Sequence, residues 1–419
     1  MDSRPIPQKK TALQSVMNMA VLVAALGYFV DIYDLILFNV IKEASLIGIG
    51  ISALDKERLQ EVGFALYNWQ MYGMLTGGIL WGILGDKRGR LSVLFGSIII
   101  YSAANIVNGF VTDINTYAAV RFIAGVGLAG ELGAGVTLVS ESMSKEQRGY
   151  GTMLIVVVGA LGAVFAAQIG AHFHWTTAYF VGGGLGLVLL ALRISVFESG
   201  MYKNMEKTNA KRGSFFQLFS NWKIFFKYLN CILIGLPIWF TVAVLINSSN
   251  KFGEILGVQG KVVVGQSVMY TYIGLSVGGL FVGLLSQALK SRKKVVLICL
   301  AMLYAFVLLY LFLTGLSLFE FYTICFLLGF ATGFWALFVT IASEQFGTNI
   351  RSTVTTTVPN FVRGSVPLIT SCYLFLVKNQ IANNIYSALI VGTVCFLLSI
   401  VAILNVKETF GKDLNYIEP

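Results

Sequence analysis

The sequence predicts an all-α membrane protein with twelve transmembrane helices in two pseudo-symmetric six-helix bundles. Three observations carry this. Of 419 residues, 56% are hydrophobic and only 12% charged, against roughly 25% charged in a soluble domain. The apolar residues run in blocks of about twenty, the length that crosses a bilayer as a helix. The positive charge, net +10, sits in the short stretches between those blocks. It forms no basic stripe with interleaved aromatics, which argues against a nucleic-acid partner.

Taken in order, spans are predicted at 16–40, 62–84, 91–111, 116–140, 150–171 and 177–196, then at 222–246, 262–285, 295–315, 319–342, 353–377 and 385–406. The first block is longer than a signal-peptide core and lacks a convincing small-residue cleavage site. Pro237 interrupts the seventh. The polar stretch between the sixth and seventh blocks divides the chain. Residues 1–197 are the N-terminal six-helix bundle, 198–221 a cytoplasmic linker suited to the membrane surface, and 222–419 the C-terminal bundle. The five cysteines all lie in apolar blocks with no ligand spacing, so they read as packing residues. His172, His174 and Trp175 read as interfacial residues rather than a metal site.

With both termini placed on one side, 22 Lys and Arg fall on that side and only Lys42, Lys56, Arg58, Lys251, Lys261 and Lys378 on the other. The termini are therefore expected in the cytoplasm. The halves also echo one another. Ser140-Glu141, then Arg148, recurs 203 residues later as Ser343-Glu344, then Arg351, and the same offset carries Arg90 onto Lys293. Duplicated six-helix units are the build of rocker-type transporters.

The loop after the second span reads Gly82-Ile-Leu-Gly-Asp86-Lys-Arg-Gly-Arg90. It resembles the G-x-x-x-D-R-x-G-R-R signature of the major facilitator superfamily, with Lys87 and Leu91 at two of the Arg positions. Arg121 through Glu131 looks like the fourth span of the superfamily's sugar-porter, phosphate and metabolite:H⁺ symporter branches. Glu141…Arg148 and Glu344…Arg351 match their fourth and tenth span ends. Lys407-Glu-Thr-Phe-Gly-Lys412 resembles the sugar porters' P-E-T-K-G-K without its Pro. Asp31-Ile-Tyr-Asp34 is similar to the first span of the phosphate and metabolite symporters. The phosphate motif after Gly130 and the sugar porters' Gln-Gln pair are absent, so the metabolite:H⁺ symporter branch fits best.

Ionisable groups inside a membrane are costly and usually line a cavity or pair. Five stand out: Asp31, Asp34, Arg121, Glu131 and Arg363. At about 1.5 Å rise per residue, Asp34 and Arg121 both lie about 27 Å from the cytoplasmic span ends, and Glu131 and Arg363 both about 15 Å. These depths suggest the pairs Asp34–Arg121 and Glu131–Arg363. The resemblance implies Asp34 as the proton-coupling carboxylate with Arg121 as its partner, while Asp31, one turn away, could share the titration. It also implies that Arg363 meets the substrate, and a guanidinium fork suits a carboxylate. Glu131 could instead meet a cationic group or carry a second proton. Tyr67, Asn68, Gln70, Gln168, Trp239 and Gln266 are candidate cavity liners, as are Tyr270, Tyr272, Trp335 and Asn360. Asp86, Arg90, Glu141 and Arg148, with Lys293, Glu344 and Arg351, are expected to form a cytoplasmic gate whose salt bridges break on opening.

The expected function is proton-coupled uptake of a small polar metabolite, an organic or amino acid bearing a carboxylate, by alternating access. The alternative is a proton-coupled efflux antiporter. No nucleophile–base set, metal-ligand cluster or phosphate-cradling loop is visible, so neither enzyme chemistry nor a cofactor is expected. The expected partners are the solute, protons and the lipid bilayer. The unit is expected to be a monomer, and the short loops suit a bacterial inner membrane.

Overall fold

The computed structural model describes residues 19–88, 90–142, 148–198, 215–347 and 349–411. For 19–20, 86–88, 90–91, 137–142, 148–149, 195–198 and 352 it describes the backbone alone. The long helices are α1 (Met19–Gly48), α2 (Lys56–Arg88), α3 (Arg90–Asn108), α4 (Ile114–Leu128 and Glu131–Ser142), α5 (Arg148–His172) and α6 (Trp175–Glu198). The second half contains α7 (Trp222–Leu233, then Leu236–Phe240), α8 (Val264–Leu289), α9 (Arg292–Phe312) and α10 (Leu318–Thr332 and Trp335–Glu344). It ends with α11 (Arg351–Gly364 and Val366–Lys378) and α12 (Asn384–Asn405). Among the described residues, ten of these are long and apolar enough to span a membrane. The other two, α2 and α3, stand where the second and third spans are expected. An all-helical build follows from the solvent, since backbone polar groups in hydrocarbon must be satisfied within their own segment.

Polar caps fix several helix ends. The Asp113 side chain accepts from the Thr116 backbone N–H, Ser291 from Lys294, and Asn383 from Tyr386. Ser317 and Glu320 form a reciprocal capping box.

Four helices break near their middles. The break in α7 falls at Ile234-Gly235, just before Pro237, and the chain then widens into a π-helical segment at Thr241–Ile246. In α11 it falls at Ser365, before Pro367. Proline accounts for both, because it removes a backbone donor and crowds the preceding turn. The other two breaks, Ala129-Gly130 in α4 and Gly333-Phe334 in α10, stand at matching places in the two halves. The same internal symmetry governs packing. A Cβ on Gly125 would overlap the Gln70 carbonyl of α2, and one on Gly329 would overlap the Thr271 carbonyl of α8. Small residues let these backbones meet, once in each half.

The halves touch along two seams, α2 against α11 and α5 against α8. Between the seams, α1, α7, α8 and α10 turn side chains toward a common centre.

Candidate functional site

Arg363 is the hub of that centre. It lies near the end of the first segment of α11, is 1% exposed, and reaches across to α1. Its Nη2 stands 3.9 Å from Asp31 Oδ2 and 3.5 Å from the Tyr28 hydroxyl, to which it donates. Its Nη1 donates to Asn360 Oδ1 at 3.4 Å. The rings of Trp239 and Trp335 flank the guanidinium at 5.5 and 5.6 Å, within cation–π reach. Trp335 Nε1 in turn donates to the Tyr28 hydroxyl at 2.9 Å. One cation is thus caged by aromatic groups from both halves.

Beside this cage lies a cavity of ≈ 20 Å³ whose walls include Tyr28, Ile32, Trp239, Val242, Tyr272 and Trp335. That volume holds about one water, so the halves must part before any metabolite can enter. Polar ties close the end opposite the basic loops. Lys42 Nζ donates to the Asn247 backbone carbonyl at 3.2 Å and its side-chain oxygen at 3.1 Å. Lys56 meets Glu254 at 3.2 Å, Lys251 donates to Gln60 at 3.1 Å, and Lys378 pairs with Glu61. Each tie joins one half to the other. Toward the basic end, Asn360 Nδ2 donates to the Ala129 carbonyl at 2.8 Å, and Gly133 packs against Thr356.

The expected pairings are redrawn. Glu131 does not meet Arg363. Arg193 of α6 takes both its oxygens, Nη1 to Oε1 at 2.9 Å and Nη2 to Oε2 at 2.7 Å, and Ser97 adds a bond at 3.0 Å. Arg193, assigned to the cytoplasmic loops by the charge count, is in fact buried inside the N-terminal half. Arg121 makes no ion pair with Asp34. It donates to Gln70 Oε1, and its guanidinium lies 4.4 Å over the Phe38 ring. Asp34, fully buried, lies against Gly182 of α6, and neither carboxylate oxygen accepts a hydrogen bond among the described residues.

Among the candidate liners, Trp239, Tyr272 and Trp335 face the cavity. Asn360 touches Arg363, and Gln70 serves Arg121. Tyr67 is buried nearby, and Asn68 accepts from Thr370 across the α2–α11 seam. Gln168 is exposed and donates to Met269 Sδ at the other seam. Tyr270 stacks on Tyr322 at 5.3 Å and is not among the cavity walls.

At the basic end, the side chains of Asp86, Arg90, Glu141 and Arg148 lie outside the described residues. Glu344 pairs with Arg292, which sequence reasoning passed over: Nε to Oε2 at 3.1 Å and Nη2 to Oε1 at 3.0 Å. Lys293 Nζ donates to the Leu404 carbonyl, and Arg351 donates to the carbonyls of Ser343 and Phe346. These bonds stay within the C-terminal half and brace it. The tail motif completes the brace. Glu408 accepts from Ser291 Oγ at 2.5 Å and from the backbone N–H groups of Arg292, Lys293 and Phe410. Burial would raise its carboxyl, but these hydrogen bonds outweigh it and hold the pKa at about 2, below the ordinary 4.5.

Long apolar helices in two echoing halves, with a buried polar centre between them, are the build of a membrane carrier. The family model for the Major Facilitator Superfamily matches residues 24–371, and the chain belongs to that superfamily. The solved structure of the proton:xylose symporter XylE bound to 6-bromo-6-deoxy-D-glucose superposes with a TM-score of 0.71 over 94% of this chain and 97% of that one. At 15% identity this likeness speaks for the fold alone. The niacin transporter NiaP of Acinetobacter baylyi is 36% identical over 115 residues, 26% of each chain. The sialic acid transporter NanX of Escherichia coli is 29% identical over 180 residues, 42% of this chain and 43% of its own. The aligned stretches span about half the length, or less, of the curated relatives. The relatives it matches are named as transporters, not as enzymes.

Proposed function

We propose that the chain is a proton-coupled symporter of a small carboxylate-bearing metabolite, with Arg363 receiving the carboxylate and the buried carboxylates of α1 carrying the proton. The observation that carries this reading is Arg363 itself. It is a fully buried guanidinium that contacts both halves beside the central cavity. Buried charges persist where something neutralises them, and a guanidinium fork is built for carboxylates. Niacin and sialic acid, the solutes named for two relatives, are both carboxylic acids. The aromatic and aliphatic walls beside Arg363 favour a flat apolar body over a polyol. Asp31 and Asp34 supply carboxylates with unsatisfied oxygens in the same interior. The Lys/Arg asymmetry supports a cytoplasmic basic end. In this reading the single chain works in a bacterial inner membrane.

The test is uptake by proteoliposomes holding the purified chain, with a panel of labelled organic acids led by nicotinate. An acidic exterior should drive accumulation above the outside concentration, and a protonophore should abolish it. Uptake indifferent to the gradient would remove proton coupling. Transport of neutral solutes alone would remove the carboxylate.

A further inference from the structure

Nine charged side chains are buried among the described residues. Arg292, Glu344 and Arg351 cluster at the basic end. The other six lie within the bundle: Asp31, Asp34 and Glu131 against Arg121, Arg193 and Arg363. This interior is balanced, three carboxylates to three guanidiniums. Glu131 is spoken for by the two-pronged contact with Arg193. Asp34 lies against Gly182 and makes no contact with Arg363. Asp31 alone of the three stands on Arg363, whose flanking tryptophans wall the cavity, and it does so loosely. The 3.9 Å separation is longer than a hydrogen bond, and neither Asp31 oxygen has a donor. The Arg363 Nε has no acceptor, and its other contacts are long, at 3.4 and 3.5 Å. A guanidinium with five donors, held by distant partners, can accept a bidentate carboxylate without breaking a strong bond.

Building on the proposed function, we infer that Asp31 holds the place on Arg363 that the solute's carboxylate takes, and that each solute anion travels with one proton on the displaced Asp31, in an electroneutral cycle. A second anion in the balanced interior would leave one negative charge uncompensated, which costs several kcal/mol in a poorly solvated site. A proton on the carboxylate that has lost its cation restores the balance. The groups facing Asp31 are Arg363 from α11, Tyr28 and Asp34 from α1, Glu131 from α4, Tyr101 from α3 and Tyr272 from α8. Only Arg363 is a cation, so the exchange on it decides the charge of Asp31.

The experiment uses the full chain in nanodiscs, with nicotinate as probe and the fluorescence of Trp239 and Trp335, which flank Arg363, as reporter. Between about pH 7 and 10 the probe stays ionised. Wild-type affinity should weaken by up to tenfold per unit rise in pH, the slope for one proton bound per anion. Asp31→Asn should bind without pH dependence, Asp31→Glu should retain the slope, and so should Asp34→Asn. In proteoliposomes a potassium–valinomycin potential should leave the wild-type uptake rate unchanged. A slope that survives in Asp31→Asn, or disappears only in Asp34→Asn, overturns the inference, as does potential-driven uptake. If nicotinate binds at no pH, that solute is removed from the proposed function. The ligand-free pH transition of the tryptophan signal then still decides the matter: it should vanish in Asp31→Asn, and its persistence there refutes the role of Asp31.

Discussion

Arg193 grips Glu131 with two parallel bonds, 2.9 and 2.7 Å long, between α6 and α4 at the break in α4. Both side chains are buried, and Gly27 of α1 leaves the room they occupy, since a Cβ there would overlap the Arg193 guanidinium. The pair therefore ties three helices of the N-terminal half together at their least regular point.

Removing one partner leaves a buried charge without its counter-ion, at about 3–5 kcal/mol. Arg193→Met and Glu131→Gln are each expected to lower the thermal midpoint in detergent sharply. The double variant should be more stable than either single one, because no lone charge remains. Thermal unfolding of the four proteins checks this. Additive losses would show that the two residues act separately.

Close approach of α2 and α4 rests on Gly125. A methyl group there meets the Gln70 carbonyl, which is backbone and cannot swing aside. Gly125→Ala should cost about 1–3 kcal/mol through overpacking. The control is Gly135→Ala, where the nearest atom, the Ala24 Cβ, is an ordinary 3.5 Å away. Yield of monodisperse protein and thermal midpoint should fall for the first and hold for the second.

Glu408 caps the start of α9 from the tail. Its folded pKa of about 2 lies below the ordinary 4.5, so its stabilisation is present in full above the ordinary range and fades as pH falls toward 2. Glu408→Gln should cost about 1 kcal/mol at neutral pH, the usual worth of a helix cap. The gap from wild type should close as the solution is acidified. A gap that is constant with pH would mean that the carboxylate charge plays no part.

Lys42 ties α1 to the turn after the π segment of α7 through Asn247. Lys42→Met should speed amide exchange over residues 241–256 and leave 292–312 unchanged. Equal exchange in both proteins would show that this tie does not hold the two halves together.

Helices, buried charges and their pairings differ in how legible they are in the sequence. The bilayer imposes blocks of about twenty apolar residues, so the helices and the two halves are plain in the hydropathy. The same contrast exposes Asp31, Asp34, Arg121, Glu131 and Arg363, because charge inside an apolar block stands out. Helix rise gave their depths but not their facing. Asp34 and Arg121 share a level yet form no ion pair, and Glu131 turns to α6 rather than to Arg363. Arg193 was overlooked because it sits in the last turn of its predicted span, where a cation ordinarily reads as a loop anchor. Its position just inside the span end was the available signal. Arg292 was masked in the same way by the run of basic residues around it. Pro237 announced the break in α7, whereas the break in α4 carries no proline and only Gly130 marks it.

Everything proposed here turns on Arg363 receiving the carboxylate. It is tested most directly by how the protein discriminates between an acid and its amide, nicotinate and nicotinamide first, in wild type and in Arg363→Gln. Loss of a bidentate charged contact should weaken acid binding by about 1.5–3 kcal/mol, tenfold or more, and leave amide binding nearly unchanged. The preference for the acid should then disappear. An Arg363→Gln protein that stays folded and still prefers the acid as strongly as wild type would contradict the account.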